Sequence, residues 1–365
     1  MKKDNIMKPI SQFIFPVFGS LVFALLLIPV IKLLAVKVKL IDKPNARKVH
    51  SVPVPLAGGI SIGITVCIAL ILNSPFALSL DENIVWLSGS MVMLITGALD
   101  DRFDIKATYR LSIQMICALA VAWSGIRINS FYGLLGVETI PVLAQYGLTI
   151  IVITGVVNAF NLMDGIDGLM GGLSLVAASV LGILSYQFNQ AELTIFCLII
   201  IGAVFGFLKH NLSHKKVFMG DAGSLFLGFT FVVVAIKLLN ATNTHPTAES
   251  VKVLLFVTGL FLIPVFDSLR VYRARIKKGV SPFKADKTHI HHLFLFLGLT
   301  HKRATFLIVT LACLILVVIG SLVHLIPAVW IIVVGVGVFA AITTFLTINH
   351  SVQEWKEKMK ELEGR

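Results

Sequence analysis

The stretch FIFPVFGSLVFALLLIPVIKLL, residues 13–34, is the first of a series of long apolar runs that decide the fold. Runs of about 17–22 residues recur along the chain, and each can cross a hydrocarbon core about 30 Å thick. They lack the strict alternation of barrel strands, so we expect each to cross as a helix that satisfies its own backbone. The first run is too long for the apolar core of a signal peptide, so we expect it to be retained.

The composition points to a membrane protein. Of the 365 residues, 57% are hydrophobic and 14% are charged, whereas charged residues make up about 25% of a typical soluble domain. We therefore predict one integral membrane domain, residues 1–365, folded as an all-α polytopic transmembrane helical bundle. The predicted spans, about eleven in number, lie near 10–36, 57–73, 84–99, 107–127, 145–162, 167–187, 192–210, 222–240, 251–269, 303–323 and 327–348.

The distribution of Lys and Arg predicts the orientation. These residues fill alternate connections, and positive residues concentrate on the cytoplasmic side of membrane proteins. We therefore expect the N-terminus outside and the C-terminus in the cytoplasm. The same rule explains the net charge of +12, so we expect no nucleic acid partner. The catalytic loops expected on the cytoplasmic face are 37–56, 100–106, 158–167, 211–224 and 270–302. The opposite connections, near 74–83, 128–144, 188–191, 241–250 and 324–326, contain no Lys or Arg.

Paired acids end the third span, in GALDDRFDI, residues 97–105. Ionised acids beside a bilayer are costly and usually paired or functional. Asp100 and Asp101 are suited to hold a divalent cation, or one of them can act as a base beside a compensating charge. The alternative is an ordinary acidic loop.

A second acidic motif is NAFNLMDGIDGLMGG, residues 158–172. Asn158, Asn161, Asp164 and Asp167 recur every three residues, so on a helix they would form one polar face. Helix packing through the glycines is the alternative, but it leaves the two acids unexplained.

A third motif, KVFMGDAGS at residues 216–224, places Asp221 between two glycines just before an apolar run. Backbone N–H groups at such a helix start suit phosphate, and an acid beside phosphate indicates Mg²⁺. The alternative is that Asp221 or Ser224 caps the helix.

The longest basic loop contains SPFKADKTHIHHL, residues 281–293. His289, His291 and His292 favour phosphate binding or proton handling. Zinc is disfavoured, because the spacing lacks the usual partners of such sites.

The first basic loop contains DKPNARKVH, residues 42–50. Arg47, Lys48 and His50 serve as topology signals and are also suited to hold a phosphate at the membrane surface. Together with the acids, these cations supply what phosphoryl transfer needs. We therefore expect a site at one membrane face that joins a water-soluble phosphate substrate to a lipid substrate.

These five motifs, taken in their order along the chain, resemble the polyprenyl-phosphate N-acetylhexosamine-1-phosphate transferases of the glycosyltransferase 4 type. Within them the chain resembles the WecA-like branch, which acts on undecaprenyl phosphate. The resemblance runs from about Asp42 to Arg303. It implies transfer of GlcNAc-1-phosphate from UDP-GlcNAc to undecaprenyl phosphate, with release of UMP. It places this reaction at the first lipid-linked step of cell-surface polysaccharide synthesis, of the O-antigen or enterobacterial common antigen type.

The resemblance also implies roles for individual residues. The expected metal ligands for Mg²⁺, with Mn²⁺ as a substitute, are Asp221, Asp100 and Asp101. The expected catalytic residues are Asp100, Asp101, Asp164, Asp167, His289, His291 and His292. The expected substrate-binding residues are Arg47, Lys48, His50, Asn158, Asn161, Asn211, Phe218 and Arg275, with Asn211 and Phe218 on the nucleotide and Arg275 on the pyrophosphate.

The expected partners are the lipid bilayer, UDP-GlcNAc and undecaprenyl phosphate, in a bacterial inner membrane with the active site facing the cytoplasm. A homodimer is compatible with the resemblance. Asp104 stands where the muramoyl-pentapeptide branch has Lys, which argues against a peptidoglycan precursor as substrate. Another UDP-N-acetylhexosamine stays open as the donor. Two other classes also stay open: a secondary transporter and a scaffold that binds anionic lipid.

Overall fold

The computed structural model of the chain is almost entirely helical, and it describes residues 11–42, 53–73, 80–244, 247–281 and 288–363. Its helices are α1 (Ser11–Lys37), α2 (Gly58–Leu72), α3 (Leu80–Phe103), α4 (Ala107–Trp123), α5 (Val142–Met163), α6 (Leu169–Gln187), α7 (Ala191–Asn211), α8 (Gly220–Ala241), α9 (Thr247–Lys277), α10 (Ile290–Phe296), α11 (His301–Leu322) and α12 (Ala328–Glu363). One short antiparallel ladder pairs β1 (Ile41–Asp42) with β2 (Val54–Pro55). The predicted all-α class is confirmed.

Nine of the described helices are long and apolar enough to cross a membrane, namely α1, α3, α5 to α9, α11 and α12. The chain is therefore a multi-pass membrane protein. Helices α2 and α4 are apolar but shorter, and the 15 residues of α2 extend only about 22 Å. Each predicted span coincides with one of these long or shorter helices. The number that cross and the orientation of the termini stay predictions.

Helix α8 is the centre of the bundle. Its residues are almost all buried, and it packs against α2, α3, α5, α6 and α9. By contrast, most side chains of α1, α11 and α12 lie outside the protein core, as expected for helices that face lipid. An apolar helix surrounded by other apolar helices can be hydrophobic on every side. The sequence of α8 therefore needs polar groups only at its ends.

Glycines bring the backbones of two other helices against the first turn of α8. A Cβ at Gly59 in α2 would overlap the backbone of Gly223. A Cβ at Gly97 in α3 would overlap the backbone of Asp221. Small residues permit such close approach between membrane helices. The first turn of α8 is thus clamped between α2 and α3.

The second acidic motif does not form one continuous helical face, which corrects the sequence-based expectation. Helix α5 ends at Met163, and Asp164 is its C-cap. The chain then turns through residues 164–168, with Gly168 at a φ of +80° before α6 begins. A left-handed residue ends helical continuity and favours glycine. The two asparagines therefore lie on α5, whereas Asp164 and Asp167 lie in the turn.

One basic residue lies where none was expected. Helix α4 ends at Trp123, followed by Gly125 at a φ of +97°, so Arg127 falls in the connection to α5. Its Nε donates to Gln145 Oε1 at 2.8 Å, and its guanidinium lies 5.1 Å from the centre of the Tyr146 ring. The predicted end of the fourth span at residue 127 was wrong, because the helix stops at Trp123 and the connection therefore includes Arg127.

Candidate active site

The ends of four helices place charged and amide side chains at one point. Helix α3 contributes Asp100 and Asp101 from its last turn, and α4 contributes Arg110 from its first turns. Helix α5 contributes Asn161 near its end, and α8 contributes Asp221 in its first turn. Three of the predicted metal and catalytic acids therefore lie together although they come from two distant segments.

Asp100 and Asp221 share one cation. Arg110 Nη1 donates to Asp100 Oδ2 and, at 2.9 Å, to Asp221 Oδ2. The remaining oxygen of each carboxylate accepts from a neutral donor. Asp100 Oδ1 accepts from the backbone N–H of Ile105 at 2.7 Å, and Asp221 Oδ1 accepts from Asn161 Nδ2 at 2.7 Å. One oxygen of each acid is thus directed at the same nitrogen atom.

Asp101 has a different environment from its neighbour Asp100. Its Oδ1 accepts from the backbone N–H of Asp221 at 2.9 Å, and its Oδ2 accepts from that of Ala222 at 3.1 Å. It therefore caps the N-terminus of α8 from another helix and complements the positive end of the helix dipole. The alternative interpretation, in which Asp221 or Ser224 caps α8, is wrong, because the N-cap residue is Met219. These two N–H groups, expected to suit phosphate, are bonded to Asp101.

The two asparagines of α5 serve different contacts. Asn161 Nδ2 donates to Asp221 and also lies 3.1 Å from Ser224 Oγ. Asn158, one turn earlier, donates to Gln114 Oε1 at 2.7 Å and to the carbonyl of Thr154 at 2.8 Å. Asp100 and Asp221 are called the acidic pair below. Asn161 therefore contacts Asp221 of this pair directly, whereas Asn158 joins α5 to α4 deeper in the bundle.

Asp164 faces the acidic pair from the turn after α5. The pKa of Asp164 is raised to about 7, mainly by burial and also by the nearby charges of Asp101, Asp167 and Asp42, although a hydrogen bond from the Gly220 backbone opposes the rise. A carboxyl with this pKa exchanges its proton near neutral pH. Asp42, at the end of β1 and the first residue of the DKPNARKVH motif, thus belongs to the electrostatic surroundings of the site.

The raised pKa of Asp164 predicts a pH-dependent stability. Between its ordinary value of 3.8 and about 7, the folded protein holds a proton that the unfolded chain releases, so the free energy of unfolding falls as pH rises. The metal-free protein should lose thermal stability between about pH 5 and pH 7, and Asp164→Asn should flatten this slope. Thermal unfolding midpoints across this range test it.

Asp167→Asn is the matched control for this measurement. Burial alone would raise the pKa of Asp167, but hydrogen bonds from His301 and Lys216 hold it below its ordinary value. Its contribution to stability is therefore lost only at pH values more acidic than the range tested. A slope that is unchanged by Asp164→Asn, or removed by Asp167→Asn, would contradict the assignment.

Asp167 and Asn211 join loops rather than point at the acidic pair. Asp167 Oδ2 accepts from Lys216 Nζ at 2.6 Å and lies 3.3 Å from His301 Nδ1. The Asn211 side chain is buried, accepts from the Gly168 N–H at 2.7 Å and donates to the Val217 carbonyl at 2.9 Å. These contacts tie the turn after α5 to the segment before α8.

The backbone of Phe218 ties the start of α2 to the segment before α8. Its carbonyl accepts from the Gly58 N–H at 2.9 Å, and its N–H donates to the Pro55 carbonyl at 3.0 Å. The ring lies 5.8 Å from Lys216 Nζ. The ring is only partly buried, so its face can contact a flat ligand beside this cation.

The histidine motif is anchored by an acid that the sequence analysis did not select. Asp267, fully buried in α9, accepts from His289 Nδ1 at 2.8 Å, from the backbone N–H of Ile290 at 3.1 Å and from Arg270 Nη2 at 2.8 Å. Arg270 Nη2 also donates to the Thr288 carbonyl at 2.5 Å. A charge network of this kind fixes the start of α10 and the orientation of the His289 ring.

His291 faces the turn after α5, and His292 lies beside His291. The rings of His289 and His291 are parallel with centres 5.9 Å apart, and the ring centres of His291 and His292 are 4.2 Å apart. A Cβ at Gly165 would overlap His291 Nε2, so only glycine fits there. Burial, with the charges of His292 and His289, lowers the pKa of His291 well below its ordinary value, which makes it neutral near pH 7.

Arg275 lies near the end of α9, beside an aromatic neighbour. It is buried in α9, and its guanidinium lies 5.9 Å from the centre of the Tyr272 ring. Tyr272 interacts electrostatically with both Arg275 and Arg110. The structure therefore brings this arginine to the same end of the bundle. Arg47, Lys48 and His50 lie outside the described residues.

The donors present fit a magnesium ion that is completed by phosphate. Among the described residues no group of three or more His, Cys, Asp or Glu side chains is placed to hold a metal. Mg²⁺ is commonly bound through one or two carboxylates together with substrate phosphates and water. Asp100 Oδ2 and Asp221 Oδ2 already converge on a cation. Asp101, the third predicted ligand, has both oxygens on backbone N–H groups.

Sequence reasoning gave no site role to Arg110, Lys216, His301 and Asp267. A cation near the start of an apolar helix is also what topology requires, so Arg110 carried no separate signal. Asp267 did carry one, because it is an acid inside an apolar span, where ionisable residues are expensive.

The sequence is similar to those of known proteins. A family model described as Glycosyl transferase family 4 matches residues 83–239, a range that contains both Asp100 and Asp221. The chain is 37% identical over 309 residues to the undecaprenyl-phosphate alpha-N-acetylglucosaminyl 1-phosphate transferase of Yersinia pestis, covering 82% of this chain and 80% of that protein. The protein of the same name from Escherichia coli K12 is 36% identical over 311 residues, covering 82% and 81%. A Bacillus subtilis protein named probable undecaprenyl-phosphate N-acetylglucosaminyl 1-phosphate transferase is 29% identical over 297 residues, covering 79% of each chain.

Proposed function

Because this chain belongs to glycosyl transferase family 4, we propose that it transfers GlcNAc-1-phosphate from UDP-GlcNAc to undecaprenyl phosphate and releases UMP. The observation that carries the proposal is the convergence of Asp100 and Asp221 on one cation. Transfer between two phosphorylated substrates needs such a charged point to hold phosphate oxygens. The names of the relatives supply the sugar and the lipid.

The bond changes are those of a phosphoryl transfer. An oxygen of the lipid phosphate attacks the phosphorus that carries the sugar. The bond from this phosphorus to the bridging oxygen breaks, and UMP leaves with that oxygen. The second ionisation of a phosphate monoester lies near pH 6, so the attacking oxygen is already charged at neutral pH. The protein therefore has to position the two phosphates and balance their charge.

Asp100 and Asp221 would hold Mg²⁺, with Mn²⁺ as a substitute. When bound, the ion supplies positive charge to the phosphate oxygens on which negative charge develops. Asn161 fixes the second oxygen of Asp221, and the backbone N–H of Ile105 fixes that of Asp100. Asp101 holds the first turn of α8 in place. Each carboxylate is therefore oriented before substrate arrives.

Direct attack by the lipid is favoured over a covalent enzyme intermediate. The acids near the centre are engaged: Asp100 and Asp221 with Arg110, Asp101 with backbone N–H groups, and Asp167 with Lys216. Burial and neighbouring acids keep Asp164 partly protonated at neutral pH, which makes it a poor nucleophile. An acid in these states does not readily attack phosphorus.

The positions of the remaining groups suit the two substrates. Lys216 beside Phe218, His291 beside Gly165 and the buried Arg275 are groups of the kind that can bind a nucleotide diphosphate. We place this end of the bundle at the cytoplasmic face of a bacterial inner membrane. We assign the product to the first lipid-linked step of a cell-surface polysaccharide. A homodimer is also part of this proposal.

Turnover with purified protein tests the proposed function. Full-length protein in detergent, supplied with Mg²⁺, undecaprenyl phosphate and UDP-GlcNAc, should release UMP and form a lipid-linked GlcNAc diphosphate. UDP-GalNAc and other UDP-N-acetylhexosamines, assayed in parallel, rank the sugars. If no donor led to UMP release, the proposal would be wrong. A transporter or a lipid-binding scaffold would then be favoured, since neither cleaves the nucleotide sugar.

A further inference from the structure

The position of Arg110 relative to the two acids carries an inference beyond the reaction itself. Its Nη1 donates to Asp100 Oδ2 and Asp221 Oδ2, while the other oxygen of each acid is engaged by a neutral donor. The Asp100 side chain is only 4% exposed and that of Asp221 is 33% exposed. Two carboxylates at this depth repel each other, so a cation between them stabilises their approach.

A divalent ion would compete for the same two oxygens. Mg²⁺ binds carboxylate oxygens at about 2.0–2.1 Å, and a guanidinium nitrogen that donates to the same oxygens blocks that approach. The positive charges of the ion and the guanidinium would also repel each other at short range. The two acids can therefore serve Arg110 or the metal, but the two cations cannot occupy the point together.

We propose that Arg110 is a resident counter-ion: it holds Asp100 and Asp221 together in the metal-free enzyme and must leave them when a divalent cation binds. This inference rests on the proposed metal site at these two acids. Its consequence is that the nucleotide-free enzyme binds metal weakly. Anionic phosphates that arrive with the metal provide the displaced guanidinium with a new partner, because Arg pairs well with phosphate.

Metal affinity of Arg110 variants tests the proposal without measuring turnover. Metal-free, full-length protein in detergent is titrated with Mn²⁺ alone, and free Mn²⁺ is followed by electron paramagnetic resonance. Arg110→Met removes the competing charge at similar length, so Mn²⁺ affinity should rise at least about tenfold. Arg110→Lys keeps the charge and should stay within about threefold of wild type. An Arg110→Met protein that binds Mn²⁺ no more tightly than wild type overturns the proposal.

A second measurement applies if Arg110→Met is folded but less stable than wild type without metal. The midpoint of thermal unfolding should be lower than that of wild type in metal-free buffer and should rise more on addition of Mn²⁺, because the ion replaces the lost cation. An equal or smaller rise than in wild type contradicts the proposal.

Asp221→Asn in the wild-type and Arg110→Met backgrounds separates the two hypotheses. If it abolishes Mn²⁺ binding in both, the metal site stands, and the affinity ratio alone decides the role of Arg110. If Asp221→Asn leaves Mn²⁺ affinity unchanged, the proposed metal site is wrong, and the proposed role of Arg110 is wrong with it. UMP release by wild type is assayed separately and can succeed in either case.

Discussion

Asp221→Asn should lower the rate of UMP release by at least about a hundredfold, the scale of losing one preorganised charge contact in a transition state. Asp221 supplies one of the two carboxylate oxygens that converge on the cation, and its other oxygen is held by Asn161. Asparagine has nearly the same shape, so the fold should be retained while the charge is lost. Initial rates at saturating Mg²⁺, with thermal unfolding and size-exclusion profiles, test this expectation.

Asp104→Asn is the matched control, with the same change of charge in the same motif as Asp100. Asp104 is exposed, and the structure shows no hydrogen bond or ion pair of its side chain within the described ranges. Its φ is +52°, a conformation that asparagine tolerates well. UMP release should stay within about twofold of wild type, since surface changes away from special contacts are small. If both variants lost a similar fraction of the rate of UMP release, the loss would follow from removing any negative charge in this region and would not indicate a specific role for Asp221.

Gly220→Ala should damage both stability and turnover. Gly220 has a φ of +71°, and an added Cβ would lie 2.5 Å from Asp101 Oδ2. The left-handed conformation costs alanine about 1–2 kcal/mol, and disturbing the Asp101 cap on α8 adds about 0.5–2 kcal/mol. Because Asp221 is the next residue, we expect at least about a tenfold loss of UMP release on the scale of displaced catalytic groups. Thermal unfolding midpoints and initial rates measure the two effects.

Gly133→Ala controls for the backbone strain in this comparison. Gly133 has a φ of +80°, and nothing lies within 4 Å of a Cβ added there. It shares the unfavourable conformation but not the contact with an acid. We expect a smaller loss of stability and unchanged turnover. Equal stability losses at the two positions would mean that Asp101 moves aside freely, and then the cap on α8 is not important.

The helices of this protein could be predicted from the sequence, because the length of each apolar run indicates where a membrane-spanning helix lies. The bundle interior could not be predicted in the same way. Helix α8 is central because its neighbours present Gly59 and Gly97 to its first turn, and no local pattern identifies which backbones will meet. The stop of α4 before Arg127 depended on a left-handed glycine two residues earlier, which hydrophobicity alone does not reveal.

The sequence predicted which acids form the centre, but it did not predict which contacts each of them makes. Asp100 and Asp101 are adjacent and chemically identical, and only their distant partners distinguish them. Asp100 pairs with Arg110, whereas Asp101 binds backbone N–H groups about 120 residues further along the chain. Arg110 was overlooked because a cation near a helix start also satisfies topology. Contacts between remote segments decide such roles, and sequence spacing does not contain them.

The tight contact of α2 and α3 with the start of α8 has a consequence for how this protein would look in a saturation mutagenesis survey. Gly59 and Gly97 carry no reactive group, yet any larger residue there would push against the turn that presents Asp221. Substitutions at both glycines should therefore reduce activity as strongly as substitutions of an acid that contacts substrate. A map of activity loss alone would overcount the chemically active residues, and only a parallel record of folded protein yield would tell the two kinds apart.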